Sequence, residues 1–162
     1  MIMITRTLLA CCAAAACSMV CAENIPKPGF PLFKFTTQNG ASETAGANRG
    51  KVVVLNFWFT TCHPCVAEIA DLNQLVKEYD GKNVSFIAPT FDDRNTVADF
   101  LKKHPFSYRI VGFGDDDLQM YFKGKTMAFP THVILDKNGR LIYRAISEAD
   151  LPAMRKAIDS AL

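Results

Sequence analysis

The run Val-Val-Val-Leu-Asn-Phe-Trp-Phe after Lys51 is apolar on both alternating positions, which predicts a central strand buried on both faces. Ahead of it, Phe30, Leu32, Phe33 and Phe35 predict a short edge strand that runs into an Asn39-Gly40 turn, and residues 41–50, small and polar, read as a loop. Behind it, Ile69, Leu72, Val76 and Tyr79 recur at helical spacing and predict a helix opening at Cys62-His63-Pro64-Cys65 and ending near Gly81. Pro64 suits a first turn, where its missing N–H is not needed. Residues 84–90 predict a second buried strand, Asp93-Arg94-Asn95 leads a helix to His104-Pro105, and 108–111 form a short strand. Residues 114–128 read as irregular apart from a helical turn at 118–122. Strands at 131–136 and 140–144 are joined by the Asp136-Lys137-Asn138-Gly139 turn. A last helix carries Leu151, Met154, Ile158 and Leu162 on one face, with Asp150 as N-cap and Pro152 in the first turn. Strands alternating with helices, closed by a hairpin and a helix, give an α/β fold: a central mixed sheet flanked by helices, with an N-terminal strand extension.

Composition narrows the function classes. At 49% hydrophobic and 21% charged, the 162-residue chain is that of one folded domain. Its net charge of +2 comes without long single-sign runs, so nucleic acid is not an expected partner. The apolar stretch at 8–22 falls short of the ~20 residues of a membrane span. With Arg6 before it and Val20-Cys21-Ala22 ahead of Glu23, it reads as an export signal over residues 1–22, leaving a domain at 23–162. Cys17, after Ala14-Ala15-Ala16, offers a second reading, a lipoprotein anchor.

Removing that segment takes Cys11, Cys12, Cys17 and Cys21 with it and leaves Cys62 and Cys65. One Cys-x-x-Cys pair is a site, not a disulfide framework. Zinc would need two further ligands, and His104 and His132 stand alone on different elements, so no metal is expected. A cysteine at a helix start meets unpaired N–H groups, which favours thiolate. Cys62 is therefore the exposed attacking sulfur, and Cys65, one turn below, is the more buried resolving one. The dipole's ~0.3–1 kcal/mol is less than one pKa unit. His63 is either a second source of thiolate stabilisation or a solvent-facing spacer.

The segment from Asn56 to Glu68, with its Trp58-x-x-x-Cys62-x-x-Cys65-x-x-Glu68 spacing, followed by Phe129-Pro130-Thr131 before a strand, resembles exported thioredoxin-like proteins of the TlpA/ResA type. The resemblance covers residues 30–162 and implies a thioredoxin-like fold and a thiol-disulfide oxidoreductase without cofactor. It makes Cys62 the nucleophile, Cys65 the resolving cysteine and Pro130 the cis-proline, with Phe129 beside the site. His63, Pro64, Phe129, Pro130 and Trp58 are then the residues that bind substrate or tune the pair. Asn56 stands where cytosolic thioredoxins have a buried Asp, and Thr61 where they have a second Trp. Glu68 matches the acidic residue of the TlpA/ResA group and has two readings: a buried acceptor for the Cys65 proton, or a surface glutamate of the helix.

By resemblance, the expected function is a periplasmic reductant of protein disulfides, a monomer fed electrons by a membrane partner, with apocytochrome c as a substrate by analogy. Three alternatives stand beside it. A disulfide oxidant or isomerase would use His63 to stabilise the reduced thiolate. A copper-binding module would use both thiolates, but copper-carrying relatives have three residues between their cysteines. A peroxiredoxin would need Pro where Leu55 stands.

Overall fold

The computed structural model describes residues 34–112 and 128–162. The expected signal segment 1–22, residues 30–33 and the turn at 118–122 lie outside them. The lead strand β1 (Lys34–Thr36) turns at Gly40 (φ +87°) and pairs antiparallel with β2 (Ser42–Thr44), Phe35 opposite Glu43. The expected loop at 41–50 therefore contains a strand and a 3-10 turn (Ala45–Asn48). Ser-Glu-Thr has no apolar alternation to announce it; the tight turn imposes the pairing.

The other strands form, among the described residues, a five-stranded mixed sheet of order β5-β4-β3-β6-β7. Its members are β3 (Val52–Phe57), β4 (Val84–Pro89), β5 (Arg109–Val111), β6 (Thr131–Leu135) and β7 (Leu141–Ile146). β3 is central, parallel to β4 and antiparallel to β6. Its continuous apolar run is explained by burial along its whole length. The helices are α1 (His63–Ala67), α2 (Ile69–Glu78), α3 (Arg94–Leu101) and α4 (Leu151–Ala161).

Alternation along the strands divides the core. Val52, Val54, Ala88 and Ile134 pack against Ile69, Leu72 and Leu75 of α2, Val97 of α3, and Met154 and Ile158 of α4. Val53, Leu55, Phe57, Ile87 and Leu135 face the other way, with Phe35 of β1. Tyr79 donates to Asp159 at 2.9 Å and Arg155 grips Glu78 with two bonds of 2.7 and 2.9 Å, tying α2 to α4. Burial first, and the Asp159 bond second, push the Tyr79 hydroxyl up to about 12, so it stays a donor.

Two helix ends differ from the sequence pattern. α3 stops at Leu101, three residues before His104, which stays exposed while its ring stacks on Phe100 at 4.5 Å. The helix after the cysteines is not continuous either. It breaks for one residue at Glu68 (φ −86°, ψ −7°), which both ends α1 and starts α2. The expected caps elsewhere are present: Asp150 accepts from Ala153 N–H at 3.0 Å, and Gly81 (φ +71°) follows the end of α2.

Candidate functional site

The site lies where β3 gives way to α1. The connecting loop is pinned at its start, with Trp58 N–H donating to Pro89 at 3.2 Å and Thr60 N–H to the Asp92 carboxylate at 2.6 Å. Cys62 N–H then donates to the Phe59 carbonyl at 3.1 Å, which turns the chain into the helix with Cys62 as N-cap. Cys62 and Cys65 are joined in a disulfide with Cα atoms 5.3 Å apart. The Cys62 sulfur accepts from Cys65 N–H at 3.3 Å, so one of the orphan donors of the helix start points at the sulfur that would carry charge.

The expectation of an exposed Cys62 is corrected: both sulfurs are buried, and only their order is as expected. Cys62 is 5% exposed and Cys65 1%, so the nucleophile lies under its exposed neighbours and is only the less deeply buried of the two. His63 and Pro64 are the exposed members of the motif, and Thr61 is exposed beside them. His63 thus stands in water at the first position of α1, where screening weakens any hold on a thiolate.

The loop before β6 forms the other wall. The Phe129–Pro130 peptide is cis, and the Thr131 hydroxyl closes the turn by donating to the Ala128 carbonyl at 2.6 Å. The half-buried Phe129 ring meets Phe59 edge-on at 4.9 Å and Phe91 at 6.1 Å. Because Phe59 accepts the Cys62 N–H, this contact places Phe129 next to the active loop. Trp58 is different. It is fully enclosed, packed against Phe106 and Phe100 with ring centres 5.4 Å away in each case. A protein substrate cannot touch it, so of the two expected roles direct binding is excluded, and Trp58 acts on the loop from the core.

Glu68 is 6% exposed, which removes the surface-glutamate reading. Its Oε2 accepts from Ala149 N–H at 3.0 Å and its Oε1 from Asn56 Nδ2 at 3.4 Å. The helix break at Glu68 coincides with this inward carboxylate. Asn56, on β3, occupies the position where a buried Asp was absent from the sequence, and the structure brings a carboxylate to it from the helix. His132 of β6, paired in register with Asn56, completes the group: its Nε2 lies 3.3 Å from Glu68 Oε1. Tyr108 stands on the same face, its hydroxyl pushed up by burial first and by the Glu68 charge second. Along the sequence His132 stands alone on its element, with nothing beside it to mark this role. The available signal was its place two residues after Pro130, which puts it on the side-chain face of Asn56 once β3 and β6 are paired.

Comparison with known proteins follows the same lines. The Redoxin family profile matches residues 27–162. A thiol-disulfide oxidoreductase ResA of Bacillus cereus is 31% identical over 120 residues, covering 73% of this chain and 68% of its own. That of Geobacillus kaustophilus is 32% identical over 113 residues, 68% of this chain and 63% of its own. The matched stretch therefore spans about two thirds of these relatives. Among solved structures, a thioredoxin-family thiol:disulfide interchange protein of Chlorobium tepidum superimposes with a TM-score of 0.68 at 22% identity, covering 86% of this chain and 99% of its own. The thioredoxin domain of a Bacteroides vulgatus thiol-disulfide oxidoreductase gives 0.70 at 19%, with 82% and 96% covered. At such identities these two likenesses speak for the fold.

Proposed function

Because the chain belongs to the Redoxin family and is a thiol-disulfide oxidoreductase of the TlpA/ResA type, we propose that it serves outside the cytoplasm as a reductant of protein disulfides. The observation that carries this reading is the carboxylate of Glu68, 6% exposed and held one helical turn beyond Cys65. A buried negative charge there opposes a second one on sulfur. It therefore disfavours the thiolate form whose stabilisation makes strong oxidants. His63, the residue an oxidant would use, is solvated instead.

The reduced pair works in two steps. Cys62 thiolate attacks one sulfur of the substrate disulfide; an S–S bond forms between enzyme and substrate, and the other substrate sulfur leaves as thiolate. Cys65 then passes its proton to Glu68, and its thiolate attacks Cys62. The Cys62–Cys65 disulfide forms, and the substrate sulfur leaves with the electron pair. The substrate has gained two electrons and the enzyme has lost them. A membrane-borne dithiol donor restores the pair.

Residues 1–22 act as the export signal to the periplasm, with Cys17 as the site of an anchor if one is attached. Apocytochrome c, which must keep two cysteines reduced for haem attachment, fits as substrate by analogy with the group.

Glu68→Gln tests the proton step. With the mixed disulfide loaded on Cys62, release at neutral pH should slow about a hundredfold, the low end of what a positioned base contributes. The acid side of the pH–rate profile should flatten while the fold is kept. An unchanged profile would leave Glu68 a structural residue.

A further inference from the structure

Unpartnered polar atoms are not scattered in this core. Among the described residues, the buried side-chain N and O atoms without an aligned hydrogen bond are Asn48 Nδ2, Asn56 Oδ1, Trp58 Nε1, Tyr108 Oη and both ring nitrogens of His132. All but the first belong to residues on the sheet face that α1 and α2 cover. Buried polar groups in folded proteins are as a rule hydrogen-bonded, so this cluster marks where a polar arrangement is concentrated in the core. His132 is the extreme case, with 0% exposure and two unsatisfied nitrogens.

We propose that His132 is the positioning partner of Glu68, presenting an Nε2–H to Oε1 so that the pair, and not Glu68 alone, sets when Cys65 can be deprotonated. This rests on the reading of Glu68 as the Cys65 proton acceptor. Nε2 is 3.3 Å from Oε1, an ion-pair distance, but its N–H is off-line for a hydrogen bond in the disulfide form. Glu68 is otherwise fixed: Oε2 by Ala149 N–H, Oε1 by Asn56 at a long 3.4 Å. The weakly held oxygen is the one facing the imidazole.

The other titratable groups of this face are the Cys62–Cys65 pair on α1, Tyr108 before β5 and Tyr143 on β7, with Asp150 acting on Tyr143. Burial pushes both phenols up, so neither competes for the proton. α4 turns Met154 and Ile158 inward, and Tyr79, farther along, is bound to Asp159. The imidazole is thus the one basic group on this face, among the described residues, placed to present an N–H to Glu68. An N–H facing Oε1 stabilises the carboxylate, the form able to take the Cys65 proton. Without it, Oε1 keeps only the long Asn56 contact, and the carboxylate that accepts the Cys65 proton is less well held.

The test is the pH dependence of mixed-disulfide release in the full chain. His132→Leu should move the acid limb up by about one pH unit, a tenfold loss of rate at any pH on that limb. His132→Gln, which keeps an N–H near the Nε2 position but cannot titrate, should restore most of it. The double variant with Glu68→Gln should be no slower than Glu68→Gln alone. Ring 15N shifts of His132 in the unmutated chain should change on Glu68→Gln, a readout independent of how the His132 variants fold. If Glu68→Gln flattens the limb while His132→Leu leaves it in place, or the ring shifts do not respond, the pairing is wrong. If Glu68→Gln itself has no effect, the underlying proton-acceptor reading fails instead.

Discussion

Cys65→Ser should let the protein attack a substrate disulfide and then stop, with substrate covalently held on Cys62. Serine oxygen cannot form the internal disulfide that releases the substrate, so turnover falls to background while the mixed disulfide accumulates to near one per chain. Cys62→Ser should show neither capture nor turnover. The asymmetry follows from position, because Cys62 is the N-cap whose sulfur accepts the Cys65 N–H, while Cys65 lies within α1 and is the more deeply buried. Non-reducing electrophoresis with a protein substrate reads both. Normal turnover by Cys65→Ser would rule out the two-cysteine mechanism.

The second large effect is on stability. Trp58→Ala should cost about 3–5 kcal/mol, as deletion of a large buried aromatic does. Trp58 is enclosed between Phe100 of α3 and Phe106, T-shaped to the latter, and its backbone N–H ends the β3–β4 pairing at Pro89. Nothing small can refill that volume. Denaturant unfolding measures it, and a loss below about 1 kcal/mol would mean that the ring is not the keystone of this junction. Since a domain has only about 5–15 kcal/mol in hand, the active loop would loosen with it.

Most of this architecture was legible because it is written locally. β3 announces itself by unbroken apolar residues, α2 and α4 by helical spacing, and the last hairpin by Asp136 to Gly139. The reactive pair is legible for the same reason: the short segment 62–65 carries it. What the pattern hid was long-range. β2 is a strand only because β1 pairs with it, and its Ser-Glu-Thr has no signature of its own. Trp58 ends an apolar strand beside the motif, and only the rings of Phe100 and Phe106 show that it faces inward. Glu68 and His132 are far apart along the chain, and no sequence period connects them. They meet because β6 returns antiparallel beside β3, setting His132 opposite Asn56, while the helix breaks where the carboxylate turns in. The choice between a surface and a buried Glu68 was therefore a question about the sheet and not about the helix that carries it.

The reduction potential of the Cys62–Cys65 pair, equilibrated against glutathione and dithiothreitol buffers, tests the central claim most directly. A reductant with a carboxylate buried one helical turn beyond its resolving cysteine should lie near the about −270 mV of thioredoxin, or lower. A value near the roughly −120 mV of a strong oxidant would contradict it and would make His63, not Glu68, the residue that governs the pair.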